Sequence, residues 1–513
     1  MYKTKSHIHI IRGDKMKNLF FTALFYAFSF TLTGNFAFSS PIDQPFPKNF
    51  LFGTAIAGFQ VDMGCPTISP EKCEDRNSDW YQFVTDRAFR HPRLFIRGES
   101  VTRGPGFYET FDNDLKLVGK DGIGTNAIRI SIEWSRIFPK PTFGIEGYGN
   151  LKNIASSDGI EFYHRIFASA KREGITPLVT LNHYTLPLWM HDAKSCHQNL
   201  NTCKAKGWVD DRIVTEIAKY ASFIGEEFGR EVDTWATLNE PFSAVVIPSY
   251  VIAGPDRSNP PGLLLHISAA KKAMKNMIEA HSAMYSAIHS TDIYDADGDG
   301  KAASVGLVYV YFDVEPTSIK DKLASQKMDY FINRMFMRPF LHGELDTKWD
   351  GSFENRPDLY GKIDYLGVNY YGKLKVKRGW VPAIGYISPF LNLNPLYTKI
   401  EYKPEGIYNV ITRLNQYKIP ILITESGINA KKNDEDVKWW LTQTLKYTRQ
   451  AIADGSDVRG YFYWSLMDNY EWNHGMDWRF GLYAIDPNDP LKTRKPRSAV
   501  EAYKSIIVDS RKD

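Results

Sequence analysis

Two glutamates carry the clearest chemistry in this sequence. Glu240 ends the run Thr234-Trp235-Ala236-Thr237-Leu238-Asn239-Glu240-Pro241, and Glu425 ends Ile421-Leu422-Ile423-Thr424-Glu425, ahead of Ser426-Gly427. An isolated glutamate is usually a solvated surface charge. Here each follows an apolar, β-prone run, and a carboxylate at the end of a buried strand is held rigidly and aimed outward. Two carboxylates facing across a sugar-sized gap form the apparatus of glycoside hydrolysis: one protonates the leaving oxygen, the other attacks the anomeric carbon or activates water. Residues this far apart along the chain meet only if the sheet that bears them closes.

The elements needed to position them are legible. Short β-rich runs occur at Leu51–Ala57, Ala127–Ile132, Thr176–Leu181, Thr234–Leu238, Val305–Val310, Tyr365–Val368, Ile421–Thr424 and Gly460–Trp464. Amphipathic stretches such as Asp211–Gly229 and Asp436–Asp454 lie between them, with apolar residues at helical spacing. This alternation predicts a single (β/α)8 TIM barrel, of α/β class, with elaborated βα loops. His183, Asn239, Glu240, Asn369, Glu425 and Trp464 fall at or just past the C-terminal ends of these runs. That rim is the active face of such barrels.

Composition narrows the function classes. The 63 Lys and Arg nearly balance 59 Asp and Glu, which gives no nucleic-acid signal. The basic run Lys492–Arg497 reads as a solvated loop. Aromatic residues make up 14% of the chain, enough to fill a core and still stack on sugar rings. Residues 1–39 read as a signal peptide: Lys15 and Lys17 precede the apolar stretch Leu19–Phe38, and Ala37-Phe38-Ser39 suits cleavage. Met16 is an alternative start, and an uncleaved anchor is the rival reading. The expectation is a secreted or periplasmic enzyme whose catalytic domain spans residues 40–513, with no membrane attachment after cleavage. Export permits disulfides, and the four cysteines form two local pairs, Cys65 with Cys73 and Cys196 with Cys203, although four cysteines allow three connectivities.

Over residues 45–508 the chain resembles glycoside hydrolase family 1, the retaining β-glycosidases, and especially their archaeal-type branch. The resemblance rests on Phe50–Asp62, Leu181-Asn182-His183-Tyr184-Thr185-Leu186-Pro187, Thr237–Pro241, Ile423–Gly427 and Tyr463–Trp472. It implies Glu425 as the nucleophile and Glu240 as the acid/base, with Arg129 and Tyr371 bonding the nucleophile. Negative charge on Glu425 should help Glu240 keep its proton until the glycosyl ester forms. Gln60, His183, Asn239, Glu471 and Trp472 would hydrogen-bond the non-reducing sugar, Trp464 would stack on it, and Asn369 would share the rim. No cofactor or catalytic metal is implied. The expected substrates are small β-glycosides or short oligosaccharides with terminal glucosyl, galactosyl or fucosyl residues. A transglycosylase using the same site is the near alternative, and a carbohydrate-binding pseudoenzyme the distant one.

The chain departs from the family pattern in places. Asp62 stands where a Glu is usual, and Ser426 where an Asn is usual. Tyr311 replaces an Asn expected near the leaving group, and Trp478 follows Glu471 by seven residues. Glu471-Trp472 argues against a phosphorylated sugar, because the carboxylate would repel it. Glu240 argues against thioglucoside-cleaving relatives, which carry Gln there. Finally, Asp295-Ala296-Asp297-Gly298-Asp299-Gly300 alternates carboxylates as a calcium loop does, but Gly306 stands where the bidentate Glu of an EF-hand belongs. An acidic turn or a partial calcium site remains.

Overall fold

A computed structural model describes residues 45–511, except 91–93, 95, 97–98, 253–256, 379–394 and 431–432, with backbone alone at 395–399. The signal-peptide segment lies outside the described residues. Eight parallel strands close into a barrel: β1 Leu51–Ala55, β2 Ala127–Ser131, β3 Thr176–Asn182, β4 Thr234–Asn239, β5 Ser304–Val310, β6 Tyr365–Tyr370, β7 Ile421–Ser426 and β8 Val458–Trp464. Each pairs with its neighbours in chain order, and β8 closes onto β1, with Ala55 opposite Trp464. The eight expected runs are the eight barrel strands, with ends displaced by two residues at most. Both faces of each strand are covered, which is why the runs are almost continuously apolar rather than alternating.

Helices follow the strands and pack outside them. Ile213–Phe228 shows the rule: Ile213, Ile217, Tyr220, Ile224 and Phe228 are buried along one stripe. Ser156 caps the N-terminus of Ser157–Arg172 by accepting from Gly159 N–H. The outer core lies between strands and helices. A smaller inner cluster of Ala55, Ala127, Leu178, Ala236, Val308, Tyr365, Leu422 and Phe462 fills the barrel.

Period-2 alternation breaks at two places. In β7, Ile421 and Ile423 face the helices and Leu422 faces inward. Strict alternation would turn Glu425 outward. Instead the register with β6 shifts between Ile423 and Glu425, so Thr424 is an extra residue and Glu425 pairs with Asn369. In β4 the register with β5 shifts between Ala236 and Asn239, which brings Asn239 to the inner side. Glu240 then adopts a left-handed backbone, with φ 44°. A β-bulge that re-aims a side chain thus precedes each of the two glutamates.

One element has no counterpart in the sequence reading. Strands Asp313–Pro316, Lys373–Arg378 and Pro395–Glu401 form a three-stranded sheet beside the barrel mouth. Its signal was present in the alternation Lys373-Leu374-Lys375-Val376-Lys377, where Leu374 and Val376 are buried.

One expectation needs amendment. The basic run is not a solvated loop: Arg497 is buried against Asp468, and Arg494 against Asp114. The carboxylates of the acidic turn are engaged by their own backbone. Asp295 accepts from Gly298, Asp299 and Gly300 N–H, and Asp297 and Asp299 accept from the N–H groups two residues on. Asp233 lies close enough to Asp295 and Asp297 to form an acidic cluster, and burial with Asp297 nearby pushes its carboxyl up to about 6.

The cysteines pair locally, Cys65 with Cys73 and Cys196 with Cys203, across separations of 8 and 7 residues. Loops this short constrain the unfolded chain modestly, by about 2–3 kcal/mol each. Serine at both Cys196 and Cys203 should lower the denaturant midpoint accordingly and leave activity nearly unchanged. An unmoved midpoint would show that Asp192 and its neighbours hold that loop unaided.

Candidate active site

A cavity of about 430 Å3 opens at the C-terminal end of the barrel. Eight residues named from sequence line it: Gln60, His183, Glu240, Tyr371, Glu425, Trp464, Glu471 and Trp472. Arg129, Asn239 and Asn369 are buried beside them and bonded to them. Tyr184, Ser243, Arg257, Phe312, Ile400, Tyr402, Trp478 and Phe480 also form the wall.

Glu425 is buried and doubly held. Arg129 Nη1 donates to its Oε1 at 2.5 Å, and the Tyr371 hydroxyl to its Oε2 at 2.5 Å. Arg129 is itself saturated, with Nε donating to Thr180 Oγ1 at 2.9 Å and Nη2 to Asn239 Oδ1 at 2.8 Å. Burial pushes the Glu425 carboxyl up to about 7, reinforced by Glu240 and opposed by Arg129 and Tyr371.

Glu240 is gripped at both oxygens. Asn369 Nδ2 donates to Oε1 at 2.6 Å, and the Tyr184 hydroxyl lies 2.8 Å from Oε2. Asn369 is oriented in turn by Thr424 Oγ1, which donates to its Oδ1 at 2.8 Å. Asn239 joins the two halves: its Oδ1 takes Arg129, and its Nδ2 reaches Tyr184 at 3.1 Å and His183 Nε2 at 3.2 Å. Sequence placed Asn369 on the rim; the structure puts its amide directly on Glu240.

The recognition side is aromatic and acidic. Trp472 lies among Phe59, Trp80, His183 and Tyr184, with ring centroids 4.6–5.9 Å away. Gln60 Nε2 donates to Glu471 Oε2 at 2.8 Å, while Gln60 Oε1 and His183 Nδ1 have no partner among the described residues. Burial, with Arg129 and Arg257 nearby, pushes the His183 ring well below its ordinary value, so it is neutral. Arg257 Nη2 lies 3.5 Å from Glu471 Oε1, and its guanidinium sits near the rings of Tyr184 and Trp472. Glu471 therefore has a cationic partner, and its charge alone does not exclude an anionic sugar.

The departures noted in sequence resolve differently. Tyr311 does not line the cavity: Val310 takes the inward position at the end of β5, and Tyr311 packs against Tyr309. Trp478 does line it, with His474 stacked on its ring at 3.9 Å. Asp62 pairs with Arg136 at 3.0 Å away from the carboxylates, and Ser426 accepts from Trp440 Nε1 at 3.0 Å. Tyr184 and Arg257 were missed as site residues. Tyr184 stood inside a quoted motif, but only its hydroxyl contact reveals its role; Arg257 lies in a loop with no local signal.

Comparison with known proteins agrees with this site. The family described as glycosyl hydrolase family 1 matches residues 42–512. A β-galactosidase of Pyrococcus woesei is 33% identical over 91% of this chain and 97% of its own length. A bifunctional β-D-glucosidase/β-D-fucosidase of Bifidobacterium breve is 28% identical over 90% of this chain and 98% of its own. The β-glycosidase from Thermosphaera aggregans superposes with a TM-score of 0.77 at 27% identity, covering 91% of this chain and 97% of that structure. The chain thus belongs to glycosyl hydrolase family 1 and is an O-glycosyl hydrolase of the β-glycosidase type built on a (β/α)8 barrel.

Proposed function

We propose that this is an exported retaining β-glycosidase that removes terminal β-D-glucosyl, galactosyl or fucosyl residues by double displacement. The observation that carries the reading is the opposite environment of the two glutamates. Glu425 alone touches a guanidinium, and Coulomb attraction favours the ionised form there. Arg129 opposes the burial that raises the Glu425 carboxyl, and this contact assigns the nucleophile role to Glu425 and the acid role to Glu240. In the first step Glu425 bonds to the anomeric carbon as Glu240 protonates the departing oxygen. In the second, water attacks, Glu240 takes its proton, and the ester to Glu425 breaks. Arg129 and Tyr371 position the nucleophile. The free Oε1 acceptor of Gln60 and the free Nδ1–H donor of His183, with Glu471 and Trp472, supply partners for sugar hydroxyls. Trp464 offers the stacking face, and Asn239 reaches the 2-hydroxyl. The named activities of the Pyrococcus and Bifidobacterium relatives support a neutral glycone.

Export, with residues 1–39 as a signal peptide and 40–513 as the catalytic domain, draws on the apolar N-terminal stretch and the two disulfides. Among the described residues no helix is long and apolar enough to cross a membrane.

A 2-deoxy-2-fluoro β-glucoside with a good leaving group tests the mechanism. Its fluorine slows ester breakdown, so intact mass should show one adduct per chain, and peptide mapping should place it on Glu425. No adduct with either the gluco or the galacto probe, or an adduct elsewhere, would overturn the proposal. Product analysis with an added sugar acceptor separates hydrolysis from transfer.

A further inference from the structure

Glu240 must serve twice, protonated in the first step and ionised in the second. Its two oxygens are not equally able to follow that change. Oε1 faces Asn369 Nδ2 at 2.6 Å, and Thr424 fixes that amide by donating to its Oδ1. Its Nδ2 also donates to Asn239 Oδ1 at 3.2 Å, an acceptor that a turned amide would meet with its own oxygen, so Oε1 meets a donor and has no acceptor for a proton of its own. Oε2 faces the Tyr184 hydroxyl at 2.8 Å. A hydroxyl can donate or accept, and that is the only such group on either oxygen among the described contacts. Asn239, oriented by Arg129 at 2.8 Å, reaches the Tyr184 oxygen through Nδ2 at 3.1 Å. This occupies one lone pair of the phenol oxygen and leaves the second for Glu240.

We propose that Tyr184 is a positioning residue whose hydroxyl reverses with the charge of Glu240. It accepts from Oε2–H in the resting acid and donates to Oε2 once the proton has left. The inference rests on the acid/base reading of Glu240 and assigns the mobile proton to Oε2. Tyr184 keeps its own proton throughout; only its direction changes. The proton of Oε2 passes to the leaving oxygen, and a proton from water returns to Oε2.

The setting suits this role. Tyr184 is buried, with φ 75°, a left-handed backbone that costs a bulky residue energy and that surrounding contacts must hold. Its ring packs 4.7 Å from Trp472 and 4.9 Å from His183, and Arg257 sits 5.6 Å from its centroid. The charged and titratable groups around it are Glu240, Glu425, Glu471, Arg129 and Arg257, with His183 neutral and Tyr371 protonated. Burial beside Glu240 pushes the Tyr184 phenol well above its ordinary value, so it stays a neutral donor and acceptor.

Tyr184→Phe keeps the ring and removes the hydroxyl. With 2,4-dinitrophenyl β-glucoside, whose leaving group needs no proton, turnover depends on water attack and thus on ionised Glu240. There kcat should change little, because a carboxylate without its donor is the stronger base, and azide should change the variant no more than the wild-type enzyme. With a poor leaving group kcat/KM should fall about tenfold, the size expected for one hydrogen bond to a charged group, because the carboxylate left by proton transfer has no donor. With a poor leaving group, the alkaline limb of kcat/KM should move to higher pH, because the carboxylate has lost a donor. Equal loss of kcat/KM with both leaving groups, together with an unmoved limb, would overturn the proposal. Tyr184→Leu, which likewise has neither donor nor acceptor, takes the place of the Phe variant if that fails to fold. Glu240→Ala run alongside separates the failures: if it shows no azide response, the acid/base reading itself has failed.

Discussion

Alanine at Glu425 is expected to lower kcat by roughly four to six orders of magnitude, the range seen when an enzyme loses its nucleophile and keeps its binding site. The loss should fall on kcat with every leaving group, because no other carboxylate has both Arg129 and Tyr371 as donors. Those donors remain in the variant and face the space left by the missing carboxylate. Formate or azide should therefore bind there and attack the anomeric carbon of an activated β-glycoside. The product would be an α-glycosyl azide, with configuration inverted because only one displacement occurs. Thermal melting should show a folded protein. A variant that retains more than a few per cent of wild-type kcat would assign the nucleophile elsewhere, and an azide product of β configuration would contradict the geometry.

Glu240→Ala should show a different pattern, which makes the pair of variants more informative than either alone. General acid assistance contributes typically 10²–10⁴-fold, and only where the leaving group needs a proton. The variant's kcat/KM should fall by about that factor with alkyl or methylumbelliferyl glycosides and far less with 2,4-dinitrophenyl. Its kcat with the activated substrate should still drop, since water attack has lost its base, and azide should raise it with retained β configuration. A uniform loss across leaving groups would indicate damage to the pocket rather than removal of an acid. Asn369 gives an internal check. In the variant its Nδ2 loses Glu240 but keeps Asn239 Oδ1 at 3.2 Å, so the Arg129 side of the network should survive.

Much of this was legible before any coordinates, and the limits have physical causes. Strand ends showed because buried parallel strands are unbroken apolar runs that stop where the chain reaches the rim. The same uniformity hid which way the residues face: Ile421, Leu422 and Ile423 give no inside-or-outside signal, so the bulge at Thr424 was invisible. Tyr311 was misplaced for that reason, being one residue past the inward Val310. Contacts between remote segments were hidden too. Asn369 on Glu240, Tyr184 on the same carboxylate and Arg257 beside Glu471 join residues that no local motif links. The charge argument from Glu471 is weakened by Arg257, because a counter-ion from a distant loop cannot be read from the acid's own neighbours. The cysteine pairing was open in sequence and is settled by proximity.

With the residue count these strands have, Asn239 and Glu425 face the cavity only because the strands are bulged rather than regular. A conservative exchange at Thr424 would cost one hydrogen bond to Asn369. Regular pairing of β7 with every residue kept would turn Glu425 toward the helix layer while leaving hydropathy, length and barrel closure untouched. Such a chain would retain the whole recognisable motif content of the family and still have its nucleophile behind the wall. Irregular register in these strands is itself a catalytic feature.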